Sequence, residues 1–181
     1  MTLSIVATAG SASANSYITL AEAEAYVETL CFSEAWTGKT DPQKNAAIVS
    51  ATRLLDTLRW VGMRSAQDQA LAWPRMAPWT VDPFIRANLS PGVGDLLMLM
   101  DGDGYYVPTD EIPVKVKNAT CELALRLLGE DRTADAGALA PSRVKIGSLE
   151  IEGIKAQRIP AFVRSMVKEF LSPVGLEGVR G

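Results

Sequence analysis

The stretch that decides the fold is residues 41–75, DPQKNAAIVSATRLLDTLRWVGMRSAQDQALAWPR. Its first two thirds predict the longest amphipathic helix of the protein, with Asp41 as the N-cap and Pro42 at the first helical position. Apolar residues recur there at three- and four-residue spacing and define one face: Ala47, Ala51, Leu54, Leu55, Leu58 and Val61. We expect Gly62 to end the helix, because glycine tolerates the positive φ of a helix C-terminus.

Two tryptophans bracket the turn that follows this helix. Trp60 and Trp73 each carry a large apolar area, so we expect the loop that ends in Trp73-Pro74-Arg75 to be held against the protein. The favoured interpretation is that both indole rings lie in the core. The alternative is that Arg59-Trp60 and Trp73-Pro-Arg75 form a small surface that stacks and binds nucleic acid.

Composition limits the possible functions. A chain of 181 residues, 48% hydrophobic and 22% charged, predicts one domain with a hydrophobic core, and its net charge of −3 gives no overall basic character. Histidine is absent, which removes Ser-His and Cys-His nucleophile pairs and imidazole metal ligands. No pair of carboxylates points to acid–base catalysis, so we expect no enzyme, no cofactor and no metal site.

Other sequence features concern cysteines and targeting. Cys31 and Cys121 fall among apolar neighbours in predicted helices, so we expect two buried, reduced thiols. The N-terminal residues lack the pattern of a signal peptide, and no run approaches the roughly 18 apolar residues of a membrane helix. We therefore expect no contact with a membrane.

Three further helices are predicted. The first opens at Thr19 with a capping box and is expected to end near Phe32. The third begins at Ile112-Pro113 and is expected to reach about Leu128; because it is apolar over a wide arc, it should be central. The last begins at Ile159-Pro160, and its expected inward stripe is Phe162, Val163, Met166 and Phe170.

Residues 73–113 are irregular and rich in proline and glycine, which is typical of a functional or partner-bound loop. Within them, residues 95–100 predict either a helical turn or a short strand. Asp101-Gly-Asp103-Gly resembles the start of a calcium loop, but Tyr105 and Ile112 stand where oxygen ligands are needed. The favoured interpretation is a solvated Gly-Asp turn.

Residues 143–152 carry the clearest β signal. Gly147-Ser148 suits a two-residue hairpin turn, which pairs Ile146 with Leu149 and Val144 with Ile151. The same register pairs opposite charges on the other face, which supports it independently: Arg143 with Glu152 and Lys145 with Glu150. An isolated hairpin is marginal in water, so this one should pack on a helix or on a neighbouring chain.

The predicted fold class is therefore mainly α. It is a small bundle of about four helices with one β-hairpin near 143–152. We expect an extended N-terminal arm at residues 1–15, a single domain at 16–171 and a flexible C-terminal tail at 172–181. The arm and the tail have little to bury, so each is expected to order on another chain.

Three stretches together resemble one family. They are residues 14–26 (ANSYITLAEAEAY), residues 51–75 from ATRLLD to LAWPR, and residues 112–125 from Ile-Pro to ATCELAL. They resemble the phage and prophage head–tail connector proteins, also called adaptor or head-completion proteins. Some members of that family are labelled DnaT-like single-stranded DNA-binding proteins.

The resemblance implies a structural protein of the virion neck, present in the host cytoplasm during assembly. It implies a homo-oligomeric ring, typically of twelve copies, that binds the portal protein and a downstream neck or tail protein. Genomic DNA would pass through its channel without sequence-specific binding. The candidate interface residues are Tyr17, Trp60, Trp73, Arg75, Arg143, Lys145, Glu150 and Glu152. The alternative function is single-stranded DNA binding, and a third option is a protein-binding module outside any virion.

Overall fold

The structure is a computed structural model that describes residues 3–77, 99–129, 143–146, 149–152 and 159–172. Its helices are α1 (Leu20–Val27), α2 (Asp41–Asp56), α3 (Val114–Gly129), α4 (Ala161–Met166) and a 3₁₀ helix (Lys168–Phe170). Its strands are β1 (Met63–Arg64), β2 (Arg75–Met76), β3 (Leu99–Met100), β4 (Tyr106–Val107), β5 (Arg143–Ile146) and β6 (Leu149–Glu152). The strands pair as three two-stranded antiparallel sheets within these ranges. The prediction of a helix-dominated protein is confirmed, and its β content is larger than one hairpin.

Helix α1 has the predicted capping box but is shorter than predicted. The Glu22 N–H donates to the Thr19 hydroxyl at 3.2 Å, and the Thr19 N–H donates to the Glu22 carboxylate at 2.7 Å. The helix ends at Val27, and the Thr29 hydroxyl donates to the Tyr26 carbonyl at 2.7 Å, a local bond that competes with helix continuation. Cys31 therefore lies beyond the helix and is exposed, so its predicted burial was wrong, whereas Cys121 is buried.

Helix α2 also differs from the prediction at both ends. Its N-cap is Thr40, whose N–H donates to the Gln43 side chain at 3.0 Å, so Asp41 is the first helical residue. It ends at Asp56 because residues 59–61 pair with residues 170–172. The Val61 N–H donates to the Phe170 carbonyl at 2.9 Å, and the Ser172 N–H donates to the Arg59 carbonyl at 2.8 Å. This tertiary pairing outweighs the helical periodicity of Leu58 and Val61.

Helix α3 is central, as predicted, and contacts α1, α2 and α4. Its fully buried side chains include Val116, Ala119 and Leu123, which meet Ile48 and Leu55 of α2 in one apolar core. In α4 the inward residue is Val163, followed by Val167 and Phe170, whereas Phe162 is 37% exposed. The predicted inward position of Phe162 was therefore wrong, because the helix directs Val163 to the core and leaves the Phe162 ring against the Arg126 guanidinium.

The predicted hairpin register is confirmed by the backbone of β5 and β6. The Cα partners are Arg143 with Glu152, Val144 with Ile151, Lys145 with Glu150, and Ile146 with Leu149. Its turn, Gly147-Ser148, lies outside the described residues, as do residues 173–181 of the tail predicted at 172–181.

The turn between β3 and β4 confirms the solvated Gly-Asp interpretation. The Asp101 carboxylate accepts the N–H groups of Asp103 at 3.0 Å and Tyr105 at 2.8 Å, which is an Asx-type turn. Leu99 and Met100 adopt the strand alternative, while residues 95–98 lie outside the described ranges. Within the described part of the chain, no group of three or more His, Cys, Asp or Glu side chains is arranged to hold a metal ion.

The N-terminal segment makes contacts within the chain. The Asn15 N–H donates to the Val6 carbonyl at 2.9 Å, and the Val6 N–H donates to the Asn15 side chain at 2.8 Å. Ile5 packs against the core, and Ala14 is buried in it.

The limits of the arm, the domain and the tail that we expect from the sequence stay a prediction. No helix in the described ranges combines the length and apolar character needed to cross a membrane.

Candidate nucleic-acid interface

The structure brings the predicted interface residues Tyr17, Trp60 and Trp73 together, but it buries them. Their exposed fractions are 1%, 7% and 1%. The Trp73 ring meets the rings of Trp60 and Phe170 edge to face, with centroids 5.6 and 5.2 Å apart. The core interpretation of both tryptophans is confirmed. Their rings are covered, so they are not available to stack on bases.

Arg75 holds the loop to the core. Its Nε donates to the Val61 carbonyl at 2.7 Å, and its guanidinium also donates to the carbonyls of Gly62 and Ala72. Burial lowers the pKa of Arg75. Because three carbonyl groups occupy this guanidinium, the alternative surface of Arg59-Trp60 and Trp73-Pro-Arg75 does not form. Of that set, Arg59 remains exposed.

Buried Tyr17 and half-buried Asp56 form a polar clip beside these rings. The Tyr17 hydroxyl donates to the Asp56 carboxylate, which also accepts the Ala72 N–H at 3.3 Å. Burial raises the pKa of Asp56, and burial together with Asp56 raises the pKa of Tyr17. The clip joins the end of α2 to residues 17 and 72. We therefore assign a structural role, and no role in binding, to Tyr17 and Asp56.

The remaining candidate interface residues lie in the β5–β6 hairpin. Arg143 is opposite Glu152, and Lys145 is opposite Glu150. This places all four at alternating positions of the ladder, which is one face of a hairpin. For these four residues the structure describes the pairing of the backbone.

A groove between residues 30–35 and α3 brings together side chains that sequence reasoning treated separately. Its volume is about 520 Å³, and it is lined by Leu30, Cys31, Phe32, Glu34, Ala35, Glu122, Leu125, Arg126 and Gly129. Phe32 is 81% exposed at this site. The guanidinium carbon of Arg126 lies 4.6 Å from the centroid of the Phe162 ring. Arg126 thus lines the groove together with Phe32 and also contacts the ring of Phe162, which lies outside the lining. We call this groove, together with Phe162, the aromatic groove.

The local fold explains the groove. Because α1 ends at Val27, residues 28–35 cross the C-terminal half of α3, and a side-chain carbon at Gly129 would lie 3.8 Å from the Ala35 methyl group. Glu122 and Arg126 are one helical turn apart and so share a face of α3. The Tyr26 hydroxyl donates to the Glu122 carboxylate at 3.3 Å; burial, followed by the nearby Glu122, raises the pKa of Tyr26 to about 12.

A second groove lies between the N-terminal half of α2 and the last turn of α3. It has a volume of about 350 Å³ and is lined by Lys39, Gln43, Ala46, Ala47, Ser50, Leu127 and Leu128. The last turn of α3 thus contributes Arg126 and Gly129 to the first groove and Leu127 and Leu128 to the second. The two grooves carry the cations Arg126 and Lys39 and the carboxylates of Glu34 and Glu122, so the surface is close to neutral.

Sequence reasoning missed the aromatic groove. It assigned Phe32 to a helix end and Phe162 to a core stripe, and it gave Arg126 no role in a site. These residues are far apart in sequence, and no spacing rule relates them. The available signal was weak: the Pro- and Gly-free residues 30–36 contain Phe32 beside the polar Ser33 and Glu34, which is unusual for a core segment.

A groove that carries exposed aromatic rings and a guanidinium offers surfaces on which unpaired bases can stack. The chain belongs to the family described as “Putative DnaT-like ssDNA binding protein”, which it matches over residues 1–89 and 99–179. Searches of curated proteins and of solved structures found no match.

This family match corrects the predicted function. The head–tail connector hypothesis was wrong: the description of the matched family names single-stranded DNA binding, which was the alternative. The comparisons likewise give no support for a virion protein, a portal-binding ring or a neck partner. The matched description agrees with the DnaT-like label that some members of the resembled family carry. It does not identify the protein as a head–tail connector.

Proposed function

We propose that this protein binds single-stranded DNA. The observation that carries the proposal is the family match, which covers residues 1–89 and 99–179. The aromatic groove supports it, because proteins that bind single strands combine a groove with rings on which bases stack. The absence of histidine favours a role in binding over a role in catalysis.

We assign base stacking to Phe32 and Phe162. Phe32 is 81% exposed and Phe162 is 37% exposed, so each ring offers a face to a base. Arg126 lies against Phe162 at 4.6 Å, and a guanidinium plane also stacks on bases while it attracts phosphate. Stacking does not depend on base identity, so we expect little sequence preference.

Charge at this surface makes the proposed binding unusual. Arg126 and Lys39 are the cations of the two grooves, and Glu34 and Glu122 oppose them. The chain carries a net charge of −3. Counterion release will therefore contribute little, and stacking will supply most of the binding free energy.

A salt titration tests the proposal. With one or two phosphate contacts, the slope of log K against log salt should be about −0.7 to −1.4, so affinity should fall about three- to sevenfold between roughly 50 and 200 mM salt. Fluorescence anisotropy of a labelled oligothymidine of about 16 nucleotides measures it.

Arg126→Ala should make that slope shallower by about 0.7, because one phosphate contact is lost. Arg53→Ala is the matched control, since it removes an exposed cation of α2 that lines neither groove. No binding of the oligonucleotide even at low salt would reject the proposed function. Equal slopes for the wild-type protein and Arg126→Ala would reject the aromatic groove as the site.

A further inference from the structure

A second apolar surface lies on the β3–β4 hairpin. Met100, Tyr105 and Tyr106 are 54%, 73% and 58% exposed, and Val114 at the start of α3 is 68% exposed. Met100 and Tyr106 are cross-strand partners, so they share the outer face, while the buried pair Leu99 and Val107 occupies the inner face. We call Met100, Tyr105, Tyr106 and Val114 the hairpin patch. An exposed apolar cluster of this kind often marks an interaction site.

Contacts of the β3–β4 turn with α3 and the 3₁₀ helix hold the hairpin patch in place. Lys115 Nζ lies 2.8 Å from the Glu169 carboxylate and 3.7 Å from that of Asp103, which joins α3, the 3₁₀ helix and the hairpin turn. A side-chain carbon at Gly102 would lie 2.8 Å from Glu169, so the turn packs closely on that residue. The patch is therefore preorganised, which lowers the entropy cost of binding a partner.

The charge around the hairpin patch differs from that of the aromatic groove. Asp101 and Asp103 lie in its turn, and exposed Asp110 and Glu111 follow β4. Lys115, a cation beside the turn, already pairs with Glu169 and Asp103. The hydrogen bond that Lys115 donates to Glu169, with the charges of Glu169, Asp103 and Asp101, raises the pKa of Lys115. Phosphate groups would be repelled here, whereas cationic side chains would be attracted.

We propose that the hairpin patch binds a segment of a partner protein that carries Lys or Arg beside apolar side chains. The apolar side chains would cover Met100 and Tyr106, and the cations would meet Asp101 and Asp103. Tyrosine is well suited to this role, because it supplies a large apolar area and a hydrogen-bonding hydroxyl. This site does not depend on the proposed DNA binding, because it uses a different surface, one that carries carboxylates rather than a near-neutral balance of charge.

Amide shifts in NMR spectra of the isotope-labelled full chain test this proposal. The probe is a synthetic peptide of alternating Leu and Lys, and its control is the same peptide with Glu at each Lys position. We expect the Leu-Lys peptide to shift amides of residues 99–107 and 114–115, and the Leu-Glu peptide to leave them unchanged. Tyr105→Ser/Tyr106→Ser should weaken peptide binding about tenfold or more and retain oligothymidine binding.

Three results would overturn the proposal. Equal shifts with both peptides would show that charge complementarity is not used. Shifts of the hairpin amides by oligothymidine would assign the patch to nucleic acid. Shifts of the same amides on dilution of the protein alone would assign it to a second copy of this chain. A well-dispersed spectrum of the double variant confirms that it folds, so a loss of peptide binding then reports on the patch.

Discussion

Replacement of Trp73 by alanine is expected to lower the free energy of unfolding by about 3–5 kcal/mol. Trp73 is 1% exposed and is among the largest fully buried side chains of the described residues. Its ring contacts Trp60 and Phe170, so the substitution would open a cavity between the loop, residues 59–61 and the 3₁₀ helix. The loss of these edge-to-face contacts lowers the free energy of unfolding further, in addition to the effect of the lost buried apolar area.

Urea unfolding monitored by circular dichroism measures this effect. Phe32→Ala is the matched aromatic control: because Phe32 is 81% exposed, its loss should change stability by no more than about 0.5 kcal/mol. A Trp73→Ala variant with wild-type stability would contradict the buried position of the ring. It would instead place Trp73 at a surface where another molecule covers it.

The features that depend on neighbouring residues were predictable from sequence. The Thr19–Glu22 capping box and the β5–β6 register follow from short-range hydrogen bonding and from side-chain alternation. The central position of α3 follows from its wide apolar arc. Burial of both tryptophans follows from their size and their place around one turn.

The features that depend on distant residues were not predictable. The end of α2 at Asp56 is decided by strand-like pairing between residues 59–61 and 170–172. The guanidinium of Arg75 looked available for DNA, but three backbone carbonyls use it. The aromatic groove requires Phe32, Arg126 and Phe162 to meet, and each of them has an ordinary local role in the sequence.

Removal of both rings of the aromatic groove should weaken oligothymidine binding strongly. Each stacked base contributes about 1–3 kcal/mol, so Phe32→Ala and Phe162→Ala should each lower affinity roughly 5- to 150-fold. The double variant Phe32→Ala/Phe162→Ala should lose about the sum if the rings stack on separate bases. Both side chains are at least one third exposed, so the fold should tolerate their loss.

Anisotropy titrations of the single and double variants measure these losses. Tyr105→Ala/Tyr106→Ala is the matched control, since it removes two exposed rings that lie beside carboxylates. We expect that control to bind oligothymidine as the wild-type protein does. If the tyrosine variant loses affinity and the phenylalanine variant retains it, DNA binds at the hairpin patch and our assignment of the two surfaces is reversed.

The most direct test of the central claim is protection of Cys31 from alkylation by oligothymidine. Cys31 is exposed and lines the aromatic groove, whereas Cys121 is buried, and burial raises the pKa of its thiol to about 12. An alkylating reagent at neutral pH should therefore modify Cys31 selectively. We predict that its alkylation rate falls in proportion to the fraction of protein bound to DNA. An unchanged rate at saturating oligothymidine would contradict binding in this groove.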